Sequence, residues 1–274
     1  MYSRVYVEIT NICNMNCSFC HGHTRSPRQM TEEEYIRILD QLAGKTEYIY
    51  HHLMGEPLLH PLLPCFLELA AQRGFRPMIT TNGTLLERMG DTILVPGLHK
   101  VNISLHSFEK DTEIQHENYI RKVAQFADKA GKQGTLISLR LWNNGCDSGK
   151  NQTALQALQK YLPGQWTENT RGYRIRDGLF LEWGDRFEWP DQNAPEGDDR
   201  VFCYGLRDHF GILCDGTVVP CCLDSDGVIA LGNVFREELS HILRSPRAKA
   251  ITDGFSQRRA TENLCRRCGY ARKF

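Results

Sequence analysis

Short apolar runs alternate with stretches of helical periodicity over the first two thirds of the chain. The runs predict strands at residues 5–9, 48–54, 75–81, 99–107, 135–142 and 178–184. The periodic stretches predict helices after Thr31 and over 61–74, 118–134 and 153–162. Thr31 and Glu34 form a capping box, which marks the start of the first helix. This alternation favours parallel βαβ units, so the expected fold class is α/β.

The pattern changes after Trp189. Residues 190–200 are polar, include two prolines and are typical of a linker. A hairpin with an Asp-Gly turn is predicted over 212–220, and a basic helical stretch follows over 237–251. The sequence therefore predicts a large domain over 1–189 and a small α+β domain over 190–274.

Composition narrows the class of protein. The 33 basic and 33 acidic residues cancel, so no global charge attracts nucleic acid or an anionic membrane. No apolar run approaches the roughly 20 residues of a membrane span, and the first residues lack the features of a signal peptide. Eleven cysteines are many for a chain predicted to be cytoplasmic, where disulfides are rare, so metal binding or catalysis is the expected use.

The first cysteine group follows the first predicted strand. Cys13, Cys17 and Cys20 have the spacing C-x3-C-x2-C. Three thiolates on a four-iron cluster leave one iron open to a substrate or cofactor, as catalysis requires. A zinc site is the alternative, because His21 and His23 follow closely and structural zinc takes four ligands.

This motif resembles the signature of the radical S-adenosylmethionine (SAM) superfamily, which has an aromatic residue before the last cysteine. The segment from Met54 to Pro57 is similar to the GGEP motif of that family, and Thr81-Asn82-Gly83 ends the next strand. The resemblance implies a partial (β/α)6 TIM-like barrel, a SAM-binding [4Fe–4S] cluster and SAM. It implies SAM-binding roles for Phe19, Met54, Gly55, Glu56, Pro57, Asn82, Ser104 and Arg140.

Each implied role suits the chemistry of the residue. A carboxylate such as Glu56 suits the methionine ammonium of SAM. Ser104 and Arg140 resemble residues that hold the carboxylate and ribose, and a guanidinium pairs with a carboxylate in bidentate fashion. Phe19 is expected to pack near the adenine.

The second cysteine group has the spacing C-x12-G-x4-C from Cys203 through Gly216 to Cys221, followed by C-x2-C. It resembles the truncated "twitch" form of the SPASM auxiliary-cluster domain, and the predicted ligands are Cys203, Cys221, Cys265 and Cys268. Four cysteines saturate a second [4Fe–4S] cluster, so its expected role is electron transfer. A zinc ribbon is the alternative, and Cys214 is a competing ligand.

Candidate catalytic residues lie near both groups. Cys222 adjoins a proposed ligand but points the opposite way on an extended segment, and its thiol is a candidate hydrogen-atom donor. Asp185 and Arg186 follow the sixth predicted strand and are candidates for contact with substrate. His106 and Cys146, which follow the fourth and fifth strands, are weaker candidates.

The resemblance implies reductive cleavage of SAM to a 5′-deoxyadenosyl radical that abstracts hydrogen from a substrate, with electrons from an external low-potential reductant such as flavodoxin or ferredoxin. The first hypothesis is an oxidoreductase whose auxiliary cluster accepts an electron. The second is a peptide-modifying enzyme that forms a crosslink or epimerises an α-carbon. The predicted barrel begins by residue 5, so no leader-binding domain is expected before it, which favours a small-molecule substrate. The third is a zinc-binding module without catalysis.

Overall fold

Six parallel strands form the centre of the molecule. The computed structural model describes residues 1–108, 112–147, 149–197 and 199–273. The first strands are β1 (Arg4–Val7), β2 (Tyr48–Tyr50), β3 (Arg76–Thr81), β4 (Lys100–Ser104) and β5 (Leu136–Asn144). An antiparallel hairpin of β6 (Thr167–Asn169) and β7 (Gly172–Arg176) leads into β8 (Leu179–Asp185). β8 lies parallel to β5 and completes the set of six.

Helices cross between successive parallel strands and cover one face of the sheet. They are α1 (Glu32–Leu42), α2 (Leu63–Gln72), α3 (Leu86–Ile93), α4 (Glu113–Lys132) and α5 (Lys150–Tyr161). The capping box of Thr31 and Glu34 is confirmed: Thr31 Oγ1 accepts from Glu34 N, and Glu34 Oε2 accepts from Thr31 N. The apolar core lies between these helices and the fully buried apolar positions of the strands.

Over residues 1–189 the main differences between predicted and observed elements lie in three places. Helix α3 was not predicted, because a central Gly90 lowers helix propensity; Gly90 is needed there, since a Cβ would lie 2.8 Å from the Phe126 ring. Strand β2 ends early, where the chain turns towards Gly55. The hairpin β6–β7 was missed because β6 is exposed along its whole length and carries no apolar alternation.

The C-terminal segment extends the same sheet. β9 (His209–Ile212) pairs parallel with β1, while β10 (Thr217–Val219) and β11 (Gly232–Asn233) continue antiparallel beyond it. Among the described residues the strand order is β11-β10-β9-β1-β2-β3-β4-β5-β8-β7-β6. The helices α6 (Leu239–Ile242), α7 (Pro246–Ser256) and α8 (Asn263–Arg266) follow. The helical stretch predicted over 237–251 is interrupted because Ser245 caps a new helix at Pro246.

Candidate functional site

The first cysteine group lies on a long loop that leaves the carboxyl end of β1. Asn11 closes this loop, because its Nδ2 donates to Ser26 O (2.9 Å) and its Oδ1 accepts from Arg28 N (2.7 Å). Within the loop, Cys20 N donates to Cys17 O (3.1 Å), and Cys17 Sγ lies 3.7 Å from Ser107 O, next to the end of β4. Cys13 and Cys20 are exposed and Cys17 is half-buried. The three thiols therefore share one anchored loop over the strand ends.

The segment from Met54 to Pro57 packs directly under this loop. Gly55 has φ +75°, and a Cβ there would lie 2.4 Å from Thr10 O, so only glycine allows the close approach. Glu56 N donates to Ile12 O at 2.8 Å, which joins the segment to the residue before Cys13.

The carboxylate of Glu56 points into the protein and is fully engaged there. It accepts from Thr81 Oγ1 (2.7 Å), Asn82 N (2.8 Å) and Leu58 N (3.0 Å), and Glu56 is 2% exposed. Burial raises the pKa of this carboxyl to about 7 despite these donors. The side chain thus connects the ends of β2 and β3. The expected pairing with the methionine ammonium would require the carboxylate to face outwards, and it does not.

Asn82 connects the end of β3 to the cysteine loop. Its Nδ2 donates to Asn14 Oδ1 (3.0 Å), and its Oδ1 accepts from Thr84 N and Thr84 Oγ1. Asn14 Nδ2 donates in turn to Thr84 Oγ1 at 2.9 Å. This amide network holds the backbone between Cys13 and Cys17.

A cavity of about 310 Å³ opens beside the loop at the ends of β4 and β5. Phe19 lines it and packs on His106 with ring centroids 4.7 Å apart. Arg186, also in its wall, donates from Nη2 to Ser18 O (3.1 Å), and Trp189 Nε1 donates to Phe19 O (2.9 Å). Cys146 lines the same cavity and is exposed. The segment after β8 therefore fixes the loop from the opposite side.

Arg140 and Ser104 are register partners on β5 and β4, below the cavity. Arg140 Nε lies 3.6 Å from Glu182 Oε2, and its guanidinium lies 4.4 Å from the Trp142 ring centroid. Asp185 stands apart at the exposed end of β8, where its Oδ1 accepts from Asn144 Nδ2 at 3.4 Å.

The second cysteine group converges although its members are far apart in sequence. Burial raises the pKa of each of these thiols, and neighbouring thiols of the group raise it further for Cys203, Cys221 and Cys265. Gly205 N donates to Cys203 Sγ at 3.4 Å, and a Cβ on Gly205 would lie 3.1 Å from Pro220 O. Gly216 has φ +86°, and a Cβ there would lie 2.5 Å from the Phe235 ring. Both glycines let the backbone close around the thiols.

Cys214 and Cys222 lie outside this group on different sides. Cys214 is buried with Sγ 3.7 Å from Arg25 Nη1, and burial and Glu8 raise its pKa to about 12. Cys222 packs with Tyr6 against an apolar cluster that includes Leu53, and burial raises its pKa to about 11. The structure therefore does not place Cys214 among the four thiols, and it turns Cys222 towards the strands.

One buried ion pair that the sequence did not reveal connects the two halves. Glu8 is fully buried and accepts from Arg25 Nη1 (2.8 Å) and Nη2 (2.6 Å). Glu8 also accepts from Met54 N and Cys214 N, while Arg25 Nε donates to Ser225 O. These contacts span about 200 residues of sequence, so no local pattern could indicate them.

The donors present fit iron–sulfur clusters. A triplet of two exposed thiols and one half-buried thiol suits a cluster with one open iron, and four half-buried thiols suit a saturated one. The hydrogen bond from Gly205 N to Cys203 Sγ is of the kind that tunes such clusters. Among the described residues, no three His, Cys, Asp or Glu side chains lie close enough together to hold a single metal ion.

Comparison with known families matches both halves. Residues 7–135 match the model of the radical SAM superfamily, and residues 203–269 match that of the SPASM iron–sulfur cluster-binding domain. These halves define an α/β barrel protein with a SAM-binding [4Fe–4S] cluster, SAM and an auxiliary [4Fe–4S] cluster. The chain belongs to the radical SAM superfamily and carries a SPASM-like C-terminal domain. In the described part of the chain no helix is long and apolar enough to cross a membrane.

Similar proteins extend this picture. GTP 3′,8-cyclase of Chlorobaculum tepidum is 33% identical over 131 residues, which are 46% of this chain and 40% of that protein. The chain thus spans well under two thirds of that curated relative. Structurally similar chains include BtrN in complex with AdoMet and 2-DOIA (TM-score 0.61, 20% identity, 98% of this chain and 93% of that one). SuiB of Streptococcus suis bound to SAM has TM-score 0.64 and 14% identity, covering 98% and 72%. These likenesses confirm the partial (β/α)6 barrel with a C-terminal domain.

Proposed function

We propose that the chain is a radical SAM oxidoreductase that removes two hydrogens from a small-molecule substrate. The observation that carries the proposal is the convergence of four half-buried thiols beside Cys222 and the polar interior of the barrel. A cluster held by four thiolates has no iron free for substrate, so electron transfer is the role left to it.

Each cysteine group has a distinct place in the proposal. Cys13, Cys17 and Cys20 hold the SAM-binding cluster, and Cys203, Cys221, Cys265 and Cys268 hold the auxiliary cluster. When bound, the first cluster and SAM supply a 5′-deoxyadenosyl radical that takes one hydrogen atom from substrate, and the second cluster accepts the remaining electron as a proton leaves. The first cluster is reloaded by an external reductant, for which flavodoxin or ferredoxin is proposed.

The residues around the loop position SAM in this proposal. Phe19 and the cavity beside it take the adenine, and Ser104 and Arg140 take the ribose and carboxylate. Asn82 fixes the loop through Asn14, and Gly55 lets the backbone from Met54 to Pro57 reach the same place. We assign the contact with the methionine ammonium to that backbone, because the Glu56 carboxylate is already bound by three protein donors.

Cys222, Asp185 and Arg186 have different proposed relations to substrate. Cys222 faces the barrel interior beside Tyr6 and is proposed to contact the substrate. Arg186 is held by Ser18 O and is proposed to act through the loop. Asp185 lies exposed at the end of β8, where it can meet a substrate only at the cavity mouth. The match to GTP 3′,8-cyclase covers 46% of this chain and 40% of that protein, so it leaves the substrate open.

The test begins with anaerobic iron and sulfide analysis, for which two cubanes give about eight irons per chain. The triple variant Cys13→Ala/Cys17→Ala/Cys20→Ala should keep about half of the iron and lose 5′-deoxyadenosine formation. Cys265→Ala should lose the auxiliary cluster and keep reductive SAM cleavage. The matched control is Cys146→Ala, at an exposed cysteine outside both groups, which should keep both clusters.

The net reaction is tested by mass spectrometry. The reduced holoenzyme is incubated with SAM and a deproteinised metabolite extract, and the expected product has lost two hydrogens. A product with the mass of its substrate would contradict the oxidation. Zinc without sulfide would contradict the whole proposal.

A further inference from the structure

The inner face of the barrel is polar from strand to strand. Val5 and Val7 on β1 are fully buried against the helices, so the alternate residues Arg4 and Tyr6 face the barrel interior. Residues that are paired in register on neighbouring strands face the same side of the sheet. Tyr6 pairs with Tyr50, and Asn102 pairs with Ser138, so these residues also face the interior. Among the described residues, some of the polar atoms on this interior face have no hydrogen-bond partner.

Several interior polar atoms are shielded from solvent without a partner. In the described part of the chain neither a hydrogen bond nor an ion pair reaches four such atoms, which are Arg4 Nε, His52 Nδ1, Asn102 Oδ1 and His209 Nδ1. Buried polar atoms are paired in the great majority of cases, so a group of orphans on one face indicates a place for a ligand.

The charge on this face is positive. Lys100 and Arg140 face the carboxylate of Glu182, which accepts from Ser138 Oγ at 2.6 Å, and Arg4 on β1 is a third cation of this face. Glu8 directly follows β1, but Arg25 neutralises it. The excess positive charge favours an anion.

Two of these unpaired atoms belong to Arg4 and His209, where the C-terminal segment joins β1. These residues are register partners on β1 and β9, and the ring of His209 lies 5.8 Å from that of Tyr6. Burial and the charge of Arg4 lower the pKa of His209 to about 4, so its ring is neutral and its N–H can donate. Asp208, the acid that also influences His209, lies 3.8 Å from Arg207 Nε.

Arg4 is also the cation nearest to Cys222. Both Arg4 and Tyr6 influence the Cys222 thiol electrostatically, and Tyr6 forms a hydrogen bond with it. An anion held at Arg4 therefore places the rest of a small molecule beside Cys222 and the four thiols.

We propose that the barrel interior binds an oxyanion, a carboxylate or a phosphate of the substrate, between Arg4 and His209. This inference rests on the proposed function, because it assigns the substrate class of that same site. Arg4 supplies a charge-assisted hydrogen bond and His209 a neutral one. The anchored molecule extends towards the SAM site, with its reacting carbon between the two clusters.

The test uses equilibrium dialysis of the holoprotein with saturating SAM, so that the SAM contacts of Arg140 are already made. The probes are radiolabelled inorganic phosphate and radiolabelled acetate, which distinguish the two sources of an oxyanion. Wild type should bind one of them, and Arg4→Gln should weaken this binding roughly tenfold or more. Arg4→Lys should retain part of the affinity because it keeps the charge.

The matched control is Arg37→Gln, on the exposed side of α1, which should leave probe binding unchanged. The spectra of both clusters and reductive SAM cleavage are recorded for each variant, so a folding defect in Arg4→Gln is visible. His209→Phe offers a second variant that should weaken the same probe. Equal probe binding by wild type, Arg4→Gln and His209→Phe, or no binding by wild type, would overturn the inference. Neither result depends on whether the net reaction is an oxidation.

Discussion

At the scale of single residues, glycines decide how closely the backbone can approach the cluster loop. Gly55 and Gly44 both have positive φ, +75° and +71°, but only Gly55 contacts other backbone. A Cβ on Gly55 would lie 2.4 Å from Thr10 O and 2.9 Å from the carbonyl carbon of Asn11, whereas Gly44 has open space. Gly55 therefore combines a backbone requirement with a packing requirement.

We predict that Gly55→Ala destabilises the protein by about 3 kcal/mol or more, because strain and overlap add. Gly44→Ala, the matched control, should cost only about 1 kcal/mol from strain alone. Anaerobic urea titrations measure both values. Equal costs for the two variants would show that the approach of Gly55 to Thr10 is unimportant.

Residue identities explain how much of the site the sequence could reveal. Cysteine spacing predicted the two groups, because spacing is visible in the chain. The inward direction of the Glu56 carboxylate depends on Thr81 and Asn82, which belong to the next strand, and could not be read from its own motif. Likewise, the sequence could not show that Cys214 lies outside the group of four thiols, because this depends on the contact of Cys214 Sγ with Arg25.

At the scale of elements, the alternation of apolar runs and helical stretches predicted the parallel strands, but it did not predict which strands are neighbours in the sheet. Helix α3 was missed because Gly90 lowers local propensity, although packing against Phe126 favours a glycine there. The pairing of β9 with β1 joins residues about 200 apart, and no local pattern specifies such a contact. The same pairing brings Glu8 under the hairpin of β9 and β10.

The Glu8–Arg25 pair ties β1, the cluster loop and this hairpin together. We predict that Glu8→Gln costs about 3–5 kcal/mol, because it leaves a largely buried guanidinium without its counter-charge. The double variant Glu8→Gln/Arg25→Gln should recover part of this loss. Anaerobic denaturation of the single and double variants measures the coupling between the two residues.

A surface ion pair provides the control for that prediction. Asp91 and Lys129 lie 2.7 Å apart but are 76% and 50% exposed, so Asp91→Asn should cost less than about 1 kcal/mol. If Glu8→Gln cost no more than Asp91→Asn, the pair would not hold the loop to the C-terminal segment.

At the scale of the whole molecule, buried titratable groups make stability depend on pH. Burial lowers the pKa of His51 to about 4 and, together with the charges of neighbours, that of His52 to about 3 and that of His209 to about 4. The unfolded chain protonates these rings near pH 6.5, so their contribution to stability is lost as pH falls below that value. Glu56 acts in the opposite direction, because its raised pKa keeps a proton on the folded protein up to about pH 7.

These four groups together make unfolding take up about two protons near pH 5.5. We therefore predict that the free energy of unfolding falls by about 2 kcal/mol per unit as pH is lowered through this region. His51→Gln should reduce this slope by about one proton, since His51 is fully buried between Tyr35 and Met78 O. His241→Gln, at an exposed histidine on α6, should leave it unchanged. Urea titrations between pH 5 and 6.5 under anaerobic conditions give the slopes, and the same slope in wild type and His51→Gln would contradict the assignment.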